Sequence, residues 1–304
     1  MRGTREQIAL PSGHSFRLLR WTRSIRQVEI LLGHGASVRI KGEGDHWHYH
    51  AAMELTLFTA GDGTRFVGDQ IAPFSAGDLV LLGEKLPHYW HTRGASAGFS
   101  VQWDFSSGHP FWAFPESIGT ASLFKVAGRG LRFTGETAEK LSARLHALAG
   151  TSGPERLGLL FGLFTLMADA PGEERLTLSN QTFALSTSSA HQQAISEAVR
   201  YLLANFRDEI RLEEVLRLTA MSKPTFSRQF KKHSGKTFSD FLSHIRLQAA
   251  CRELIETEHP ILEVALSSGY TQVSFFNRIF RRILRCSPTQ YRAQKGVPAD
   301  TPLR

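Results

Sequence analysis

Phe226-Ser227-Arg228-Gln229-Phe230-Lys231-Lys232 returns fifty residues later as Phe276-Asn277-Arg278-Ile279-Phe280-Arg281-Arg282. The pattern Phe-x-Arg-x-Phe-basic-basic thus occurs twice in a chain of 304 residues. On a helix, positions four apart share a face, so each copy is anchored by a phenylalanine pair and turns its cations outward. The chemistry such a face offers is contact with a polyanion. Between Ser222 and Lys236 there are five basic side chains and no acidic one. A solvated helix normally mixes signs, so this run favours phosphates. The outward residues are Lys223, Thr225, Ser227, Arg228, Lys231 and Lys232 in the first copy, and Gln272, Val273, Ser274, Asn277, Arg278 and Arg281 in the second. Arg and Asn can read guanine and adenine edges, and Val273 can meet a thymine methyl.

A second set of residues lies near the other end: His46-Trp47-His48-Tyr49-His50, then Glu54, and later Pro87-His88. His48 and His50, two apart, share one face of an extended strand, and Glu54 joins them if the strand runs on without a bulge. With His88 they make a candidate shell of three nitrogens and one carboxylate for a metal ion. The same residues, with Trp47 and Trp90, could instead line a pocket for a polar effector, or simply cap turns. Trp47, Tyr49, Tyr89, Trp90 and Trp103 cluster around these segments. Rings beside imidazoles suit a hydroxylated small molecule, and they equally suit core packing.

The elements that must hold these residues are legible from periodicity. Short apolar helices at 212–219 and 261–267 precede the two basic helices, each across a tight turn, which gives two helix-turn-helix units. A lead helix runs over 192–206, and a long helix over 237–255 separates the units. Gly269 supplies a left-handed turn, and Ser222 and Ser287 are expected helix caps. Segments 28–32, 37–40, 53–59, 64–67, 79–82 and 98–105 read as strands between glycine-rich turns, an antiparallel barrel or sandwich. Residues 106–135 carry no readable pattern. Helical patterns follow at 136–148 and 154–167.

The run Gly269-Tyr270, Phe275-Phe276, Arg278, Phe280, Ser287-Pro288 and Tyr291-Arg292 resembles the signature of AraC/XylS-class bacterial transcription regulators, and Met221-Ser222, Phe226-Ser227-Arg228, Phe230-Lys231 and Gly235 agree with that family's first unit. The resemblance covers about the last hundred residues. Three positions depart from it: Arg285 stands at a usual glycine, Leu216 at a usual alanine, and Arg211 at a usual Ser or Thr cap. By the resemblance, Ser227, Arg228, Val273, Ser274, Asn277 and Arg278 fall on base-facing positions. The spacing Gly42, His48-x-His50, Glu54, Gly61 is similar to the first cupin motif, and Pro73, Gly77 and Pro87-His88 to part of the second. That half therefore resembles the cupin-like sensor of the same class. The likeness implies a small-molecule effector, a sugar or derivative among the candidates, and no expected cofactor. A metal at His48, His50, Glu54 and His88 stays open.

These readings imply an α+β multidomain chain: a cupin-like β-barrel at 1–133, a helical, candidate dimerisation segment at 134–170, a polar linker at 171–190, and an all-α double helix-turn-helix at 191–296. From His191 onward there are 18 Lys and Arg against 11 Asp and Glu, so most of the net charge of +8 sits at that end. A one-sided excess of this kind points to nucleic acid. The expected partners are double-stranded DNA, a small-molecule effector, a second copy of the chain and RNA polymerase. Two cysteines, no signal-peptide pattern and no apolar stretch long enough to span a bilayer fit a cytoplasmic, non-membrane protein. The function implied is sequence-specific, effector-controlled transcription regulation without enzymatic activity. A metal-dependent cupin enzyme fused to a DNA-binding domain is the alternative.

Overall fold

A computed structural model describes residues 8–42, 44, 46–183, 185 and 191–294. These fall into two compact units, one within 8–68 and 74–185, the other within 191–294 with the short segment 69–73.

The first unit is built on β1 (Arg17–Trp21), β2 (Gln27–Gly33), β3 (Ala36–Lys41), β4 (Met53–Ala60), β5 (Gly63–Val67), β7 (Leu79–Leu82), β8 (His88–Thr92) and β9 (Ala97–Trp103), while β6 (Gln70–Phe74) falls almost wholly in the segment 69–73. Helix α1 (Ile118–Ala127) and strand β10 (Leu131–Phe133) follow, then α2 (Gly135–Gly150), α3 (Gly153–Ala168) and β11 (Arg175–Thr177). The strands of this unit form an eight-stranded sheet, ordered β11-β10-β7-β4-β9-β1-β2-β3, and a second sheet in which β5 pairs antiparallel with β8. Two antiparallel sheets in place of one closed cylinder make the expected barrel a jelly-roll-like arrangement.

Strand alternation divides the interior in two. Leu18, Leu55, Leu79, Leu81 and Val101 share a core with Leu141, Leu145, Leu148, Leu160, Phe164 and Met167 of α2 and α3. Their chain neighbours Leu19, Val80 and Leu82 join a separate core with Trp21, Phe58 and Trp90. Strand β7 is buried on both faces and reads as a continuous apolar run for that reason. The helices thus pack on their own sheet. They are also tied into it by main chain, because β10 pairs with both β7 and β11. Here the expected linker begins too early: β11 lies inside 171–190, and Ser179 beyond it is buried. Residues 184 and 186–190 of that stretch lie outside the described residues, as do 295–296 of the expected DNA-binding domain.

The second unit is all helical: α4 (Gln192–Asn205), α5 (Leu212–Thr219), α6 (Lys223–Ser234), α7 (Phe238–Glu256), α8 (Ile261–Ser267), α9 (Val273–Leu284) and α10 (Pro288–Ala293). Its core is the repeated phenylalanines. Phe226, Phe230, Phe276 and Phe280 are all fully buried, with ring centroids 5.2 Å apart in the first pair and 5.4 Å in the second. Burial of one such ring stabilises by about 1.5–3 kcal/mol. Phe241 closes over the first pair at 5.3 Å, and Tyr291 over the second at 5.5 Å. Among the described residues no helix is long and apolar enough to cross a membrane.

Candidate nucleic-acid interface and effector cavity

Burying one stripe of α6 and α9 leaves the opposite stripe outside. Lys223, Ser227, Arg228, Lys231 and Lys232 are exposed on α6, and Ser274, Arg278 and Arg281 on α9, with Gln272 at its N-cap. Thr225, Val273 and Asn277 are half-buried at the margins. Pro224 sits in the first turn of α6, where its missing N–H costs nothing. Ser222 is the N-cap residue, yet its hydroxyl donates to Thr225 Oγ1 at 3.0 Å and leaves the helix amides uncapped. Ser287, by contrast, forms a full capping box with Gln290.

The two faces differ in how their cations are held. Among the described residues, Lys223, Arg228, Lys231, Lys232 and Arg281 have no carboxylate partner, while Arg282 pairs with Asp240 at 3.6 Å. Arg278 lies over the ring of Phe275 at 5.1 Å, a cation–π seat for an otherwise mobile guanidinium. The motif gave no hint of that role for Phe275, although an aromatic three residues before an arginine on a helix is the signal to look for. On the buried side of α6, burial first, then the charges of Lys232 and His191, push the His233 imidazole down to about 4. His244 is likewise held at about 4, by burial and then by Lys236.

In the first unit a cavity of about 80 Å³ is lined by Arg17, Trp21, His48, Glu54, His88, Trp90 and Gln102, among others. Strand register explains the polar row. Arg17 lies opposite Gln102 in the β1–β9 pair, and Gln102 opposite Glu54 in the β9–β4 pair. Arg17 Nε donates to Gln102 Oε1, and Gln102 Nε2 donates to Glu54 Oε2 at 2.5 Å. Thr56 donates to the other carboxylate oxygen. Trp90 forms a wall whose indole N–H donates to Asp78 at 3.0 Å, and buried Asp78 also pairs with Arg65 and Arg132.

Two sequence expectations need correction here. Trp47 is buried away from the cavity, packed edge-on against Phe66 at 6.2 Å, because consecutive residues of an extended chain point to opposite sides. Tyr89 stacks on the same Phe66 at 5.7 Å, and Trp103 packs on Phe164 at 4.9 Å in the helix-facing core, so neither ring belongs to the cavity. His50 does not line the cavity wall either. It sits behind Glu54, with Nε2 3.0 Å from Glu54 Oε2.

Three of the four expected ligand residues converge, and Glu54 lies beside two of them, 3.0 Å from His50 and 4.0 Å from His88. His48, His50 and His88 place their nitrogens within 4.8 Å of one another, and all three are buried. Each Nδ1 lies against a carbonyl oxygen two residues away: His48 on His46 at 2.7 Å, His50 on Ala52 at 2.9 Å, His88 on Leu86 at 2.8 Å. Burial pushes the Glu54 carboxyl up, but the hydrogen bond from His50 and the charges of His88 and His50 outweigh it and hold it well below the usual carboxylate range. His88 is pushed well below the usual imidazole range, by burial first and then by His48. A carboxylate beside imidazole nitrogens is a donor set that fits a first-row transition metal.

Comparison with known proteins bears on the helical end most strongly. Residues 215–294 match the family model described as a helix-turn-helix domain. Over 103 residues the chain is 29% identical to regulatory protein SoxS of Escherichia coli K12, a match covering 34% of this chain and 96% of that protein. The C-terminal domain is AraC-type. Regulatory protein PocR of Salmonella typhimurium is 32% identical over 112 residues, and the chain spans only 37% of its length. The HTH-type transcriptional activator RhaS of Pectobacterium carotovorum is 22% identical over 257 residues, 81% of this chain and 87% of that one. Likeness to a named regulator therefore runs beyond the AraC-type domain into the sheet-rich unit. Within the AraC-type domain, the first helices fall at 212–219 and 261–267, as their periodicity indicates. The cavity residues Arg17, Thr56, Ser100 and Gln102 are what sequence reasoning missed, since no local motif joins them.

Proposed function

We propose that the chain is a sequence-specific DNA-binding transcription regulator, controlled by a small polar molecule held in the cavity of its sheet-rich unit. The observation that carries this reading is the pair of helices α6 and α9. Each is anchored by two buried phenylalanines and turns a row of exposed basic and polar side chains outward. Such helices enter the major groove, where Arg228, Arg278 and Asn277 meet base edges and Lys223, Lys231, Lys232 and Arg281 meet phosphates. If both enter on one side of the duplex, their sites lie about one helical turn, roughly 34 Å, apart.

The effector reading is supported by Trp21 and Trp90 as ring faces and by Glu54, Gln102, Thr56 and Ser100 as hydroxyl partners, a lining suited to a sugar-like compound. Effector binding would alter the DNA-bound arrangement of two copies of the chain, with RNA polymerase as a further partner. The test is to mix the purified chain with sheared genomic DNA of its host and sequence what is retained. A few promoters sharing a two-part motif would support the regulator. Equal retention of all duplexes at fixed salt would refute sequence-specific reading.

The convergence of His48, His50 and His88 favours a second reading, a metal-dependent enzyme fused to the DNA-binding domain. It predicts substrate turnover that His48→Ala abolishes.

A further inference from the structure

We infer that two copies of this chain associate through a two-fold contact made by the outer face of residues 110–126, centred on α1. The inference rests on the reading of the chain as a regulator acting in two copies, and it names the surface on which they meet.

Exposure singles out this face. Among the described residues of the first unit, the large apolar side chains left exposed are Val38, Phe114, Ile118 and Val126, at 48%, 59%, 74% and 46%. Single exposed hydrophobes are ordinary, but three of these four fall within 114–126, and a cluster of that kind marks an interaction surface. The segment is firmly held from within. Its inner residues Phe111, Leu123 and Ala127 belong to the core shared with α3, and the Trp112 indole N–H donates to the Phe105 carbonyl at 2.8 Å. A face anchored in this way loses little freedom on binding. The segment 134–170 offers nothing comparable: Leu157, Leu159, Phe161 and Leu166 pack against the core, and none of the large apolar side chains of α2 or α3 is exposed.

Charge decides the occupant. From Pro110 to Phe124 the only charged residue is Glu116, just before α1, and the next is Lys125 in the last turn of that helix. Both are exposed, and among the described residues neither takes part in an ion pair. One charge of each sign at opposite ends selects neither a basic nor an acidic partner. It does complement a second copy of itself. On α1 the residues Ile118, Ala121, Ser122 and Lys125 lie on the side opposite buried Thr120, Leu123 and Ala127. An antiparallel second α1, centred between Ala121 and Ser122, receives the Lys125 stem over its Ile118 and the ammonium at its Glu116, and the two-fold axis makes the same contact again. Fewer residues take part than the roughly 20–30 a side of a standard interface, so the expected dissociation constant is on the order of micromolar.

Sedimentation equilibrium of the full chain without DNA, from about 0.1 to about 100 µM, tests the contact. The expected result is a monomer–dimer equilibrium. Ile118→Glu should weaken it by at least about tenfold, because it sets like charges together at a desolvated contact, with the melting temperature in dilute solution unchanged. Glu116→Lys and Lys125→Glu should each weaken it by roughly two- to fivefold, and the double variant should restore it, a rescue that self-pairing alone produces. A wild-type chain that stays monomeric to about 100 µM overturns the inference. So does a dimer that Ile118→Glu leaves intact; its loss in Ala143→Glu on α2 or Thr165→Glu on α3, both exposed positions, would then give the contact to those helices. Specific duplex binding is measured on the same preparations. Its survival with a monomeric chain removes this face and leaves the regulator standing, whereas a dimer lost in Ile118→Glu supports the face whether or not any duplex is retained.

Discussion

The two helix-turn-helix units place a glycine at opposite ends of the same frame. In the first, the turn between α5 and α6 passes through Ala220 at φ 51°, and Gly235 at φ 71° ends α6. In the second, Gly269 at φ 88° makes the turn between α8 and α9, and Arg285 at φ 60° ends α9. Each unit therefore holds one residue with a Cβ in the left-handed region, where it costs about 1–2 kcal/mol. The departure of Arg285 from the family pattern changes the residue and leaves the turn in place. Gly269 is the position that has no such freedom, because a Cβ there would stand 2.4 Å from the Phe206 carbonyl oxygen. Backbone geometry is the shared part of the repeat, and side-chain identity is tolerated wherever space allows.

That comparison can be broken first at its anchors. Phe230→Ala and Phe280→Ala should each cost about 3–5 kcal/mol in chemical denaturation. A much smaller loss in one unit would show that its anchor is not equivalent to the other. Next, Gly269→Ala should cost about 2–4 kcal/mol, combining the left-handed backbone with the clash at Phe206, while Gly235→Ala should cost only about 1 kcal/mol.

Within the helical unit, acid should act chiefly on the first half of the repeat and the helix that follows it. His233 and His244 titrate near 4 in the fold against about 6.5 in the unfolded chain. The unfolded chain therefore takes up protons first, so stability is intact above about pH 6.5 and declines as pH falls toward 4, by on the order of a few kcal/mol. His233→Gln and His244→Gln should flatten that decline in melting curves.

On DNA, Arg228→Ala and Arg278→Ala should each weaken specific binding by about 1–3 kcal/mol and relax base preference at one position. Lys231→Ala and Lys232→Ala should instead weaken all duplexes alike and reduce the salt slope by about 0.9 each. Base relaxation at a lysine, or a pure salt effect at an arginine, would reverse these assignments. The smallest effect is a gain: Arg285→Gly and Ala220→Gly should raise stability by about 0.5–1 kcal/mol by relieving the left-handed cost.

The helical unit was legible because its signals are local. Phe226 and Phe230 are one helical turn apart, and the repeat supplies a second reading of the same pattern. The sheet unit was legible only in part. Strands β4 and β7 stand out as apolar runs between glycine turns, but β8 spells His-Tyr-Trp-His-Thr directly after a proline and shows no apolar alternation. Helix α1 carries Gly119 and exposes Ile118 and Val126, so its amphipathic stripe is blurred. The cavity was the least visible. Arg17 and Gln102 are 85 residues apart and meet only through the β1–β9 register, which no short window contains. His48 and His50 bring nitrogens near one another although both lie outside the named strands, and only His48 lines the cavity, a division that no spacing rule contains.

Asp78 holds the Trp90 indole and, through Arg65 and Arg132, joins β8 to β5 and β10. In mechanical terms this pins one side of the cavity at three points by groups that are buried or nearly so. A ligand pressing on that ring loads a braced wall, so the width of the site there is set by the protein before anything binds.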